Sequence, residues 1–142
     1  IVFQAHKKRS TYLKKHLFPT EKEFFKSGQS VANLTIKELN VAWAICYELS
    51  LLKKALSYIA GDVDSSEGID RSLEKMSKTA SDYSMLTLML NCIGGSWKYQ
   101  GAGKSSIWNQ KGVLIGQLNS TEEGVLIYDT ESKETFKKRK TA

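Results

Sequence analysis

The sequence predicts an α/β fold in which mixed β-sheets carry helices packed on a face. Three observations lead there. Apolar and polar residues alternate in VANLTI (31–36), the period of a half-buried strand. Ile69, Leu73, Met76, Ala80 and Tyr83 recur at spacings of three and four, one apolar stripe along a helix. From residue 85 onward, apolar runs alternate with Gly- and Asn-bearing turns, the pattern of a β-meander.

Taken in order, VANLTI leads through a turn at KELN (37–40) into VAWAICYEL (41–49). That mostly apolar run is expected of a strand buried on both faces. LLKKALSYIA (51–60) reads as a short helix. The clearest helix spans 65–83, with Asp64 and Glu67 spaced as an N-cap and its reciprocal acidic partner. MLTLMLNCI (85–93) reads as a buried strand, and GGSWKYQGAG (94–103) as a glycine-rich loop. SSIWN and GVLIGQL form a hairpin across Asn109-Gln110-Lys111-Gly112, and NSTEEG turns into a last strand, GVLIYDT. With one proline, no long Gly/Ser linker and no repeat, residues 1–142 are expected to form a single domain ending in a basic tail, 131–142.

Composition narrows the function classes. No apolar run approaches the ~20 residues a membrane helix needs, and IVFQAHKKRS turns basic too early for a secretory signal. A soluble, cytoplasmic protein is expected. The net charge of +6 is concentrated at the two ends, in Lys7–Lys26 and Lys133–Lys140. Aromatic residues do not interleave with the basic tail, so nucleic-acid binding is not expected. The two cysteines, Cys46 and Cys92, form no CxxC pair or Cys/His cluster; no metal site and no cofactor are expected.

GAGKSS (101–106) invites a phosphate-loop reading. The first glycine of that motif would fall on Lys98, and a strand pattern follows where the motif requires a helix. The stronger candidate is Cys46, near the end of the second strand. A cysteine in an apolar strand is ordinarily inert core, and chemistry there needs a nearby cation or base to favour the thiolate. Lys14, Lys15 and His16 in YLKKHLFPTE are candidates, with Glu21 close behind.

Four segments, in series, resemble the nitrilase superfamily, the carbon–nitrogen hydrolases. YLKKHLFPTEKEFFKSG (12–28) is similar to the family's tyrosine-x-lysine segment with its downstream glutamate, phenylalanine and glycine. VAWAICYELS (41–50) resembles the strand bearing the nucleophilic cysteine, followed by an aromatic and an acidic residue. LMLNCIG (88–94) resembles a later strand with its asparagine and glycine, and residues 101–129 the closing glycine-x-serine, hairpin and glutamate-glycine strand. The resemblance covers nearly the whole chain.

It implies a partial α-β-β-α sandwich. It also implies hydrolysis of a non-peptide carbon–nitrogen bond in a small amide, nitrile or carbamoyl compound, through a cysteine thioester and without a cofactor. Cys46 falls on the nucleophile and Lys14 on the catalytic lysine, so the two are expected to lie close in space. Glu21 matches a supporting glutamate, and the Tyr47 N–H would help bind the oxyanion. A homodimer or other homo-oligomer is implied in the same way.

Two departures qualify the expectation. The family's general-base glutamate lies upstream of the lysine motif, and no acidic residue precedes Glu21 in this sequence, which begins at Ile1. The chain is therefore expected to be a fragment of an enzyme, or a catalytically inactive remnant acting as a structural or interaction protein. The stretch after Cys46 also looks too short to hold a further central strand.

Overall fold

The computed structural model describes residues 2–29, 34–36, 39–50, 57–62, 68–96 and 99–139. β1 (Leu34–Ile36) and β2 (Leu39–Ile45) form an antiparallel ladder. A 3-10 helix, Cys46–Ser50, leaves the tip of β2. β3 (Ser57–Asp62), helix α1 (Ile69–Asp82) and β4 (Leu86–Asn91) follow. β5 (Ile93–Ser96) and β6 (Tyr99–Ala102) make a small antiparallel sheet of their own. β7 (Ser106–Trp108) and β8 (Leu114–Gln117) pair with each other, and β9 (Gly124–Tyr128) pairs with β10 (Thr135–Arg139). The main sheet runs β1-β2-β3-β4-β7-β8, with β2, β3 and β4 parallel and the other pairings antiparallel. This is the α/β architecture of mixed sheets with a helix on a face that the residue pattern predicts.

Helix α1 shows why that pattern works. Ile69, Met76 and Ala80 are buried together with Ala44 of β2, Met89 of β4 and Trp108 of β7, and Leu73 packs against the same cluster. Side chains alternate across a strand, so Met89 and Thr87 share the face of β4 that meets α1. The Thr87 hydroxyl donates to the Met76 carbonyl, which satisfies a buried polar group at the helix–sheet contact. Ile45 and Leu90 lie on the opposite parity and are exposed, at 38% and 55%.

The Asn109–Gly112 turn forms as expected. The Asn109 side-chain oxygen accepts from the Lys111 and Val113 N–H groups, closing the β7–β8 hairpin. The Ser77 hydroxyl of α1 donates to the Gly112 carbonyl and docks that turn on the helix.

Five local expectations are corrected. Ser57–Asp62 is a strand, not the end of a helix; it lies between β2 and β4 and supplies the central strand for which the chain looks too short. Pairing on both sides outweighs the local helix pattern, and a short apolar run such as SYIA does not distinguish the two; residues 51–56 lie outside the described residues. Helix α1 begins at Ile69 behind Gly68, which makes no side-chain cap bond, and the Asp64–Glu67 cap falls outside the described residues. Tyr83 ends the helix as an exposed C-cap rather than extending its stripe.

The glycine-rich loop is the β5–β6 hairpin, with residues 97–98 outside the described set. Gly101 serves close approach, since a Cβ there would lie 2.5 Å from the Cys92 carbonyl oxygen, whereas Gly94 takes a positive φ of +78° in open space. Finally, residues 135–139 of the basic tail are strand β10, tied to the hairpin before it where the Thr135 hydroxyl donates to the Ile115 carbonyl. Among the described residues, no helix is long and apolar enough to cross a membrane.

Candidate active site

Cys46 sits at the carboxyl tip of β2 with φ of +52°, in the left-handed region. That conformation costs an L-residue about 1–2 kcal/mol, and a strained strand-to-helix turn is a known way to hold a nucleophile clear of its sheet. The side chain is exposed. In the parallel ladder, Ile45 is in register with Gly61, and Gly61 with Leu90. Cys46, Asp62 and Asn91 therefore occupy one row at the carboxyl edge of three adjacent parallel strands. Open parallel sheets bind ligands at this edge. The Ser105 hydroxyl buttresses the row, accepting from the Asn91 N–H and donating to its carbonyl.

The lysine segment is built as a closed loop. The Gly28 N–H donates to the Lys14 carbonyl at 2.8 Å, and a Cβ on Gly28 would collide with the Leu13 carbonyl oxygen, so the loop closes only on glycine. Within it, Pro19 opens the short 3-10 helix Pro19–Glu23. The Glu21 carboxylate accepts from the Phe18 N–H at 2.6 Å and from the Lys14 ammonium at 2.8 and 2.7 Å through its two oxygens. The hydrogen bond from Lys14, followed by that from Phe18, holds the Glu21 carboxyl below its ordinary 4.5. A cavity of about 720 Å³ opens beside this ion pair, walled by Leu13, Leu17 and Phe25. Cys46 does not line it.

The lowered value has a definite sign. The Lys14–Glu21 pair contributes stability in full above about pH 4.5, the unfolded value, and loses it as pH falls through the lower folded one. Melting temperatures of wild type and Glu21→Gln should therefore differ at neutral pH and converge on acidification. A gap that widens in acid would contradict the pairing.

Two of the expected site residues meet directly, Lys14 and Glu21. Tyr47 reaches the same loop through its ring, edge-on to Phe18 at 5.5 Å. The residue that joins Cys46 to this loop is Glu48, which the sequence marks only as an acidic neighbour of the cysteine. Its carboxylate is buried, at 2% exposure. One oxygen accepts from the Ile45 N–H at 2.9 Å, immediately before the cysteine. The other accepts from the Tyr12 hydroxyl at 2.9 Å and the Lys15 and His16 N–H groups at 2.6 and 2.9 Å, on either side of Lys14. Burial first, and Glu48 second, push the Tyr12 hydroxyl up to about 12. A lone carboxylate two places beyond the cysteine, at the end of an otherwise apolar run, is the sequence signal that could have marked it.

Lys104 sits between β6 and β7, with its ammonium 3.2 Å from Asp70, so a strand follows GAGKSS as the spacing predicts. Among the described residues, no group of three or more His, Cys, Asp or Glu side chains could hold a metal ion.

No protein-family model and no curated protein matches this sequence. Solved structures do. The chain is similar to Nit3 of Saccharomyces cerevisiae, a branch 10 member of the nitrilase superfamily, at 20% identity and a TM-score of 0.64, covering 78% of this chain and 44% of that one. It is similar to XC1258 of Xanthomonas campestris, a CN-hydrolase superfamily protein, at 13% identity and a TM-score of 0.68, covering 91% and 51%. It is similar to the amidase of Nesterenkonia sp. AN1 at 16% identity and a TM-score of 0.63, covering 79% and 48%. The chain thus spans about half the length of these structures. Most of the chain superposes on proteins of one kind, so its fold corresponds to about half of the fold seen in these solved nitrilase-superfamily (carbon–nitrogen hydrolase) structures.

Proposed function

We propose that this chain carries the cysteine–lysine part of a carbon–nitrogen hydrolase acting on a small amide, nitrile or carbamoyl compound. One observation carries the reading: a single buried carboxylate, Glu48, ties the strained turn of Cys46 to the loop of Lys14. The chemistry follows from the residue types. The Cys46 thiolate attacks the substrate carbon, and charge develops on the carbonyl oxygen or nitrile nitrogen. The Lys14 ammonium favours the thiolate and stabilises that charge. The Tyr47 N–H assists, since the first N–H groups of a helix lack an intrahelical acceptor. For an amide, the leaving nitrogen takes a proton and departs as ammonia or an amine, and water then hydrolyses the thioester; the acid–base group for both steps is the glutamate that the resemblance places upstream of the lysine motif, outside the cysteine–lysine part carried here. Glu21 holds the Lys14 ammonium in place.

A thiol at the chemical centre suits the reducing cytoplasm. On the β9–β10 ladder, Ile127 stands opposite Phe136 and both are exposed, apolar surface that a second copy of the chain would cover.

Acrylamide adds to the active-site cysteine of the Nesterenkonia amidase, and it supplies the test here. Exposure alone favours Cys46 over Cys92, so the informative quantity is the pH dependence of adduct formation, followed by peptide mass spectrometry. Cys46 should reach half its maximal rate at least about one pH unit below the ~8.5 of an ordinary thiol. A Cys46 midpoint at that ordinary value would refute the reading.

A further inference from the structure

We propose that Glu48 is the positioning residue that sets the spacing between Cys46 and Lys14, an inference that rests on the reading of Cys46 as nucleophile. Among the described residues, its four donors divide between two segments far apart in sequence. The Ile45 N–H belongs to the turn that presents the thiol. The Tyr12 hydroxyl and the Lys15 and His16 N–H groups belong to the loop that presents the ammonium. Lys14 is thereby held at both ends, its backbone through its neighbours on Glu48 and its ammonium on Glu21. A merely structural carboxylate could satisfy donors from one segment. This one has an oxygen on each side and almost no contact with solvent. Catalytic groups must be held within about 0.5 Å of their working geometry, and a 1 Å misplacement can cost ~10²-fold in rate. A rigid, charge-assisted bridge is suited to that task.

Glu48→Gln is close to isosteric but replaces one oxygen with an amide NH2. That group must face either the Ile45 N–H or the three donors of the lysine loop, donor against donor, so one side of the bridge opens. In the full chain, with acrylamide as probe, the midpoint of Cys46 alkylation should rise by about one pH unit. The rate near neutral pH should fall about tenfold. Tyr12→Phe, which removes one donor and leaves three, should shift the midpoint in the same direction by less.

The positioning role makes a further demand. In a Lys14→Gln background, Glu48→Gln should add nothing, because the bridge acts through Lys14. A Glu48→Gln midpoint equal to wild type, while Lys14→Gln raises it, overturns the positioning role and leaves the nucleophile in place. If Glu48→Gln does not fold by circular dichroism, Tyr12→Phe decides, and an unshifted midpoint overturns the role. If wild-type Cys46 titrates as an ordinary thiol and Lys14→Gln leaves it unmoved, the nucleophile reading fails and the positioning role falls with it.

Discussion

If the proposed reading holds, Cys46→Ala abolishes acyl transfer from a small aliphatic amide to hydroxylamine, with the hydroxamate product falling by ~10³-fold or more. The magnitude follows from the kind of step removed. A nucleophile that forms a covalent intermediate has no substitute in its site, and what survives is only binding and electrostatic assistance. Lys14→Met should fall by a smaller factor, about 10²-fold, since it removes oxyanion stabilisation while leaving the thiol. Hydroxamate colorimetry reads both. Wild-type rates from the alanine variant would eliminate the thioester route outright. A Lys14→Met variant as impaired as Cys46→Ala would mean that the two act as one inseparable unit.

Met76→Ala should destabilise the chain by about 2–5 kcal/mol, measured by urea unfolding. Met76 is wholly buried, at 0% exposure, where α1 meets Met89 and Trp108 on the sheet. Truncation leaves a cavity that helix and sheet cannot both close, and the cost depends on how far they relax. Leu90→Ala is the control, because Leu90 faces away from α1 and is 55% exposed. Its effect should stay within roughly 0.5 kcal/mol. Similar losses for both variants would mean that α1 does not cover the face containing Met89.

What is legible in the sequence follows from the range of each interaction. The stripe of Ile69, Leu73, Met76 and Ala80 is legible because helix periodicity is local and repeats over several turns. The β7–β8 hairpin is legible because Asn109 and Gly112 carry their own turn chemistry. β3 is not, because Ser57–Asp62 becomes a strand by pairing with residues on either side that lie far away in sequence. The glycines of 94–103 mislead for a related reason. Glycine marks both loops and close approaches, and only the packing of Gly101 on Cys92 separates the two. At the candidate site, Lys14, Glu21, Cys46 and Tyr47 are individually readable by resemblance, whereas Glu48 acquires its meaning only when residues 32 to 36 positions away in sequence come to lie against it.

The left-handed turn at Cys46 also bears on how this chain can be improved. Glycine adopts that conformation without the clash a side chain suffers. A screen that rewards thermal resistance alone would be drawn toward replacing Cys46 with glycine, since backbone relief would come at an exposed position. The thiol thus stands at a point where durability and reactivity pull in opposite directions. Selection for a hardier protein must be coupled to a readout of sulfur chemistry, or it will remove the thiol on which the proposed chemistry depends.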